Sequence, residues 1–326
     1  MKAVIIKSFG GAEQLMIGDW LTPEPSDHEI LVRVKATALN RADTLQRKGG
    51  YAPPKGASPI LGLEMAGEIT AIGNKVTKWK IGDRVCGLLA GGGYAEYVTI
   101  HEDIALSIPS NLTFQEAAAI PEVFLTAFQA LFLLSDLQNN EKVLIHAGAS
   151  GVGTAAIQLA KAKQAEIFIT ASKGKHAACA NLGAHHAIDY KTENFEQVIS
   201  EKTAGLGVNV IIDFLAAPYF QKNINSMAMD GRMVMLALMG GWKVQEINLL
   251  NILRKRIHIK GSTLRARSLE YKIALVQAFK SEFWNEFATG KIHPVIDSVM
   301  DWKEVSDAHR YMEANKNTGK IVLNIN

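Results

Sequence analysis

Residues 146–161 read "HAGASGVGTAAIQLAK" and follow the apolar run "KVLI". Gly148, Gly151 and Gly153 stand in the spacing G-x-x-G-x-G. A strand-like run before the glycines and small helix-forming residues after them predict a strand, a tight turn and a helix. Such a turn lets backbone come close to a pyrophosphate, and the helix that follows offers free N–H groups and the positive end of its dipole. A structural turn has the same outline, so the next strand decides. NAD sites place an acid about 20 positions beyond the loop, to hold the ribose 2′-hydroxyl. Here that place reads "ITASKGK", and no Asp or Glu occurs from Ile167 to Ile188. Ser172, Lys173 and Lys175 offer a hydroxyl and ammonium groups, which suit a 2′-phosphate. The expected cofactor is NADPH.

Other reactive residues are sparse. Cys86 and Cys179 are the only cysteines, and neither C-x-x-C nor H-x-x-x-H occurs among the nine histidines. Tight zinc sites need such clusters, so no metal is expected. His146, just before the glycine loop, reads as a core or turn histidine. No G-x-S-x-G elbow is present. The run "RKRIHIK", 254–260, reads as a solvated face beside a strand, because it lacks the aromatic interleaving of a nucleic-acid site. Lys plus Arg is 35 and Asp plus Glu 32, too balanced to call for a nucleic-acid or membrane partner. No run reaches the ~20 apolar residues of a membrane span, and "MKAVIIKSFGG" reads as a strand and not a leader. Two unpaired thiols fit a reduced, cytoplasmic setting.

These residues need elements to position them. Residues 1–110 show short strands and turns, among them "EILVRVKATAL", "MAGEITAIG" and, as strand, glycine turn and strand, "KWKIGDRVCGLLAGGGYAEYVTI". From 141 to 263 the pattern alternates, with strands expected at 142–147, 166–171, 186–188, 208–215, 231–238 and 257–262. Helices are expected at 151–163, 175–182, 193–203 and 219–228. Six strands alternating with helices predict an α/β fold with a doubly wound parallel sheet of Rossmann type. Two more helices and the strand "GKIVLNI" follow, and this last strand is expected to return to the first domain.

The runs "ALNRADTLQR", "YAPPKGAS", "ILGLE", "AAAIPE", "LTAFQAL", "LIHAGASGVGTAAIQLA" and "YMEANKNTGKIVL" extend over essentially the whole chain. In that order they resemble the zinc-independent quinone oxidoreductases of the medium-chain dehydrogenase/reductase superfamily. Zinc relatives carry Cys and His where this chain has Asn40 and Leu63. The resemblance implies a GroES-like, β-rich catalytic domain at 1–122 and 264–326 and a dinucleotide-binding domain at 123–263. It implies Asn40 and Thr126 in the nicotinamide pocket and Tyr51 at its mouth, with Gly148, Ala149, Ser150, Gly151, Val152 and Gly153 around the pyrophosphate. Ser172, Lys175 and Tyr190 would hold the adenosine 2′-phosphate side. Leu238, Met239, Gly240, Gly241, Ser262, Thr263 and Leu264 would meet the nicotinamide ribose and ring, and Asn317 would close over the cofactor. A homodimer joined through the last strand of the parallel sheet is implied as well.

An electron-poor quinone accepts hydride without a metal. The expected reaction is therefore NADPH-dependent reduction of a small quinone, driven by proximity and alignment. Two alternatives stand beside it: a reductase of 2-alkenals and other α,β-unsaturated carbonyls, and an NADPH-binding sensor, RNA-binding or structural protein with little turnover. Either water or Tyr51 supplies the proton. With no other acid or base in view, the rate is expected to vary weakly with pH between about 6 and 8.

Overall fold

Lys2–Ile6 forms a strand (β1) paired antiparallel with Leu15–Asp19 (β2) in a computed structural model that describes residues 1–325. Glu29–Ala38 (β3) buries Ile30, Val32, Val34 and Ala36 on one face, the period of two that its sequence shows. After it come α1 (Arg41–Arg47), β4 (Glu64–Ile72), β5 (Arg84–Leu88), β6 (Tyr97–His101), β7 (Leu106–Ser107), α2 (Phe114–Ala118) and α3 (Pro121–Phe128). Pro121 is the first residue of α3, where its missing N–H leaves no bond unmade. The two strands read around the glycine turn are β5 and β6, and they do not pair with each other: β5 lies against β4 and β7, and β6 against β3.

The next stretch alternates as expected. It runs β8 (Lys142–Ile145), α4 (Gly151–Ala162), β9 (Glu166–Ala171), α5 (His176–Leu182), β10 (His186–Asp189), α6 (Phe195–Lys202), β11 (Val208–Asp213), α7 (Phe220–Ser226), β12 (Met227–Met235), α8 (Leu250–Lys255) and β13 (His258–Gly261). The six strands are all parallel, in the order β10-β9-β8-β11-β12-β13. Both faces are covered, so the apolar runs "VLI" and "VII" lie within β8 and β11. Leu144, Phe168, Ile188, Ile199, Ile211 and Met233 share one core cluster. The strand order reverses direction between β8 and β11, the place where such sheets take their ligands.

Helix α8 departs from the sequence expectation, which had no helix there. The basic run at its end is exposed at Arg254, Arg256, His258 and Lys260, as read, and half-buried at Lys255. Lys255 Nζ donates to the carbonyls of Asn225 and Met227 at 2.7 Å each, and Lys260 Nζ to that of Leu134 at 2.7 Å. These ammonium groups satisfy carbonyls of other elements, a use that composition does not reveal.

The remaining elements are α9 (Leu269–Ala288), β14 (Ile296–Asp301), α10 (Val305–Glu313) and β15 (Lys320–Asn324). Strand β15 returns to the first sheet. It lies between β14, to which it is parallel, and β3, to which it is antiparallel, in the order β14-β15-β3-β4-β5-β7. Phe124 of α3 packs edge-on to Phe287 of α9, with ring centres 4.9 Å apart. Residues 1–125 with those from 264 onward make one compact unit, and 126–263 make the other. No described helix is long and apolar enough to cross a membrane.

Candidate active site

In the unit of residues 126–263, the glycine loop leaves β8 and opens α4. Ser150 caps the helix: its hydroxyl accepts the N–H of Gly153 at 3.1 Å. A Cβ on Gly153 would lie 2.4 Å from the carbonyl oxygen of Ala147, so only glycine allows the turn this close to the helix. The first N–H groups of α4 have no acceptor within the helix and form an anion-binding end. His146 is fully buried between Thr170 Oγ1 (3.0 Å) and Asn223 Oδ1 (2.8 Å), and burial pushes its basicity down. It is a core histidine that anchors the loop, as read.

Ser172 and Lys175 stand in the turn between β9 and α5, and Tyr190 follows β10 directly. Asp189, opposite Ala171 at the end of β10, is engaged with its own turn through the N–H of Lys191 and the hydroxyl of Thr192. Leu238–Gly241 lies beyond the end of β12, tied to the loop after β11 by Met239 N–H to Phe214 O and Gly240 N–H to Leu215 O, both 3.0 Å. Ser262 follows β13, and its hydroxyl accepts a hydrogen bond from the Gln129 side chain. Residues 148–153, Ser172, Lys175, Tyr190, 238–241, Ser262 and Thr263 thus all sit beyond the carboxyl ends of the parallel strands. These residues fit a dinucleotide: a helix N-terminus for the pyrophosphate and a hydroxyl with ammonium groups for a 2′-phosphate. Thr126, on α3, belongs to the same unit.

The other unit holds a buried polar cluster that the sequence reading largely missed. Asn40, two residues beyond β3, caps α1, and it is 8% exposed. Its N–H donates to Asp43 Oδ2 at 2.7 Å, and the other oxygen of Asp43 accepts the N–H of Gly62 at 3.0 Å. Gly62 has φ +99°, and a Cβ there would strike the backbone of Gly93 and Tyr94 at 2.6 Å. Asn40 Nδ2 donates to Glu64 Oε1 at 2.9 Å. The ammonium of Lys320 donates to Asn40 Oδ1 at 2.7 Å and to the Leu39 carbonyl at 2.6 Å, and it pairs with Glu64 Oε1 at 2.8 Å. Lys320 and Glu64 are 3% and 0% exposed, so this is a fully buried ion pair.

Arg265 lies over the Tyr51 ring, 5.3 Å from its centre, and is fixed by the Ala90 carbonyl and Gln46 Oε1, each at 2.7 Å. Burial first and the charge of Glu122 second push the Tyr51 phenol up. Asn317 donates its amide to the Gly319 carbonyl at 2.7 Å in the turn before β15, and Leu264 is buried at the start of the returning segment.

Two buried carboxyl groups of this unit stand above the ordinary carboxylate range. Burial pushes Asp43 up to about 6 against the hydrogen bonds from Asn40 and Gly62. Burial, then the charge of Glu64, pushes Glu122 up to about 8. The available signal was charge inside apolar runs: Glu122 in "AAAIPEVFL", Glu64 in "ILGLEMAG" and Lys320 in "GKIVL".

Comparison with known proteins agrees with this architecture. A family model described as "Alcohol dehydrogenase GroES-like domain" matches residues 26–110, and one described as "Zinc-binding dehydrogenase" matches 151–281. The chain is 32% identical to a human synaptic vesicle membrane protein VAT-1 homolog, over 99% of this chain and 86% of that protein. It is also 32% identical to a quinone oxidoreductase of Lama guanicoe, over 99% and 97% of the two chains. Among solved structures, the CurK enoyl reductase superposes with a TM-score of 0.89 at 30% identity, covering 100% of this chain and 99% of that one.

Proposed function

The chain belongs to the medium-chain dehydrogenase/reductase superfamily of oxidoreductases, and from that premise we propose that it is an NADPH-dependent, zinc-independent reductase of quinones. One observation carries the reading: the Lys320 ammonium is seated between Asn40 and Glu64. Zinc does not fit these residues. Asn40 and Leu63 are not zinc ligands, and the acceptor oxygens beside them already hold a positive charge. A substrate that needs no Lewis acid suits such a site, and a quinone delocalises the incoming charge over its own carbonyls. Bound NADPH supplies the hydride. The residues from Gly148 to Gly153 would hold its pyrophosphate, and Ser172, Lys175 and Tyr190 its adenosine 2′-phosphate. Leu238–Gly241 with Ser262 and Thr263 would hold the nicotinamide ribose. On the other unit, the buried Asn40 and the half-buried Tyr51 are the candidate polar groups.

A second reading, reduction of 2-alkenals, is favoured by the likeness to an enoyl reductase. Assays with NADPH against benzoquinones, ortho-naphthoquinones and 2-alkenals separate the two. Quinones are expected to lead in kcat/KM by more than about tenfold. The opposite order selects the second reading, and tight NADPH binding without turnover on any of them overturns both. The outer edge of β13 pairs with no other described strand, which supports a homodimer formed across it.

A further inference from the structure

Gln129 is a buried polar residue that the reading above leaves without a task. It lies in the unit 126–263, three residues after Thr126, and opens a π-helical turn, Gln129–Leu134, that continues α3. Such turns are rare and concentrate at functional sites. Gln129 is 1% exposed. Its amide nitrogen donates to Ser262 Oγ, while its Oε1 is closed off from solvent and has no hydrogen-bond partner. Turned the other way, the amide would leave N–H groups in that place instead of one oxygen, and orphaned donors are the rarer case. An unpartnered buried oxygen costs free energy, so packing alone would favour an apolar side chain here. What the position gains from glutamine is the bond to Ser262.

Ser262 is itself placed by its backbone. Its N–H donates to the Met235 carbonyl at 3.0 Å, where β12 and β13 end side by side. Its side chain is half-buried and is not closed off. A hydroxyl has one proton to give and lone pairs that accept. With Gln129 donating into its oxygen, the Ser262 proton points elsewhere, and among the described residues no acceptor takes it. A hydroxyl that accepts one hydrogen bond is also polarised toward giving another. Ser262 is thereby set as a donor at the carboxyl ends of the parallel strands, the side on which such a sheet takes its ligand.

We propose that Gln129 is a positioning residue for the cofactor: it commits Ser262 to donate its proton to an acceptor oxygen of the nicotinamide riboside. This rests on the reading of the unit 126–263 as an NADPH site. Gln129 touches no ligand and acts through Ser262 alone. Both residues belong to that one unit, so the arrangement is complete within it. The effect is confined to one half of the cofactor, because Ser172, Lys175 and Tyr190, the residues read for the adenosine half, stand at the ends of other strands.

The test is isothermal titration of the whole chain with NADPH and with 2′,5′-ADP, which carries the adenosine half and its 2′-phosphate but no nicotinamide riboside. Gln129→Met, which keeps the bulk and removes the donor, is expected to weaken NADPH about fivefold. Ser262→Ala is expected to weaken it about tenfold, and the double variant no further than Ser262→Ala. All three should bind 2′,5′-ADP as the wild type does. Ser262→Thr, which keeps the hydroxyl, should bind NADPH like the wild type. Stability supplies a second readout: Q129M is expected to melt no lower than the wild type, because it removes an orphaned oxygen. If Q129M does not fold, Gln129→Asn, which shortens the reach of the amide, is expected to show the same split between the two ligands. NADPH affinity unchanged in Q129M or Q129N overturns the proposal. So does equal weakening of NADPH and 2′,5′-ADP, and so do losses that add in the double variant, while the cofactor reading stands in each case. A wild type that binds neither NADPH nor 2′,5′-ADP overturns the cofactor reading and the proposal with it.

Discussion

Lys320 shows how one residue can set the character of a site. Its ammonium lies in a buried pocket with three oxygen acceptors, one of them the carboxylate of Glu64. Removing one partner of such a pair leaves an uncompensated charge in the interior. Lys320→Met is expected to cost about 3–5 kcal/mol in urea unfolding. Adding Glu64→Gln is expected to recover most of that loss, because both charges leave together. Asn40 and Tyr51 are named through the chain's resemblance to a family. The partners that fix Asn40 are not, since Asp43, Glu64 and Lys320 come from three separate stretches and meet only after folding. The raised pKa values of Asp43 and Glu122 have the same origin, burial in the assembled unit, of which the sequence carries only the hint of a charge inside an apolar run at Glu122.

At the scale of elements, the proposed choice of NADPH rests on the β9–α5 turn. Ser172 and Lys175 lie on it, beside the glycine loop's strand and with no carboxylate in the stretch 167–188. Lys175→Ala is expected to weaken NADPH about 10- to 100-fold and to leave NADH nearly unchanged, as isothermal titration would show. Equal weakening of both would remove the assignment. The parallel sheet was readable from sequence because strands covered on both faces are nearly continuous apolar runs, and small residues open α4. Helix α8 and strand β14 were not. The first is only six residues long, and the second carries acids at Asp297 and Asp301 and an exposed Val299. The pairing of β5 with β7 and of β6 with β3 was hidden too, because partners in a seven-stranded sheet are set by packing and not by adjacency.

At the scale of the molecule, two families of pattern met at the right places. The alternating region became the unit 126–263, and the strand "GKIVLNI" returned to the first sheet as expected. That return has a consequence for how the protein is made. Strand β15 lies inside its sheet, with β3 on one side and β14 on the other, so the sheet is incomplete without it. The ribosome adds β15 roughly two hundred residues after the first part of that unit has emerged. At cellular speeds of 5–20 residues per second the delay is about 10–40 s. The unit 126–263, made from one continuous stretch, is complete well before then. Nascent chains arrested after residue 263 and outside the ribosomal tunnel should show 126–263 resistant to protease and 1–125 still cleaved. During those seconds the end of β3 at Ala36–Ala38, which β6 does not cover, is open to other chains, which makes it the segment that a chaperone waiting at the tunnel exit has most reason to cover.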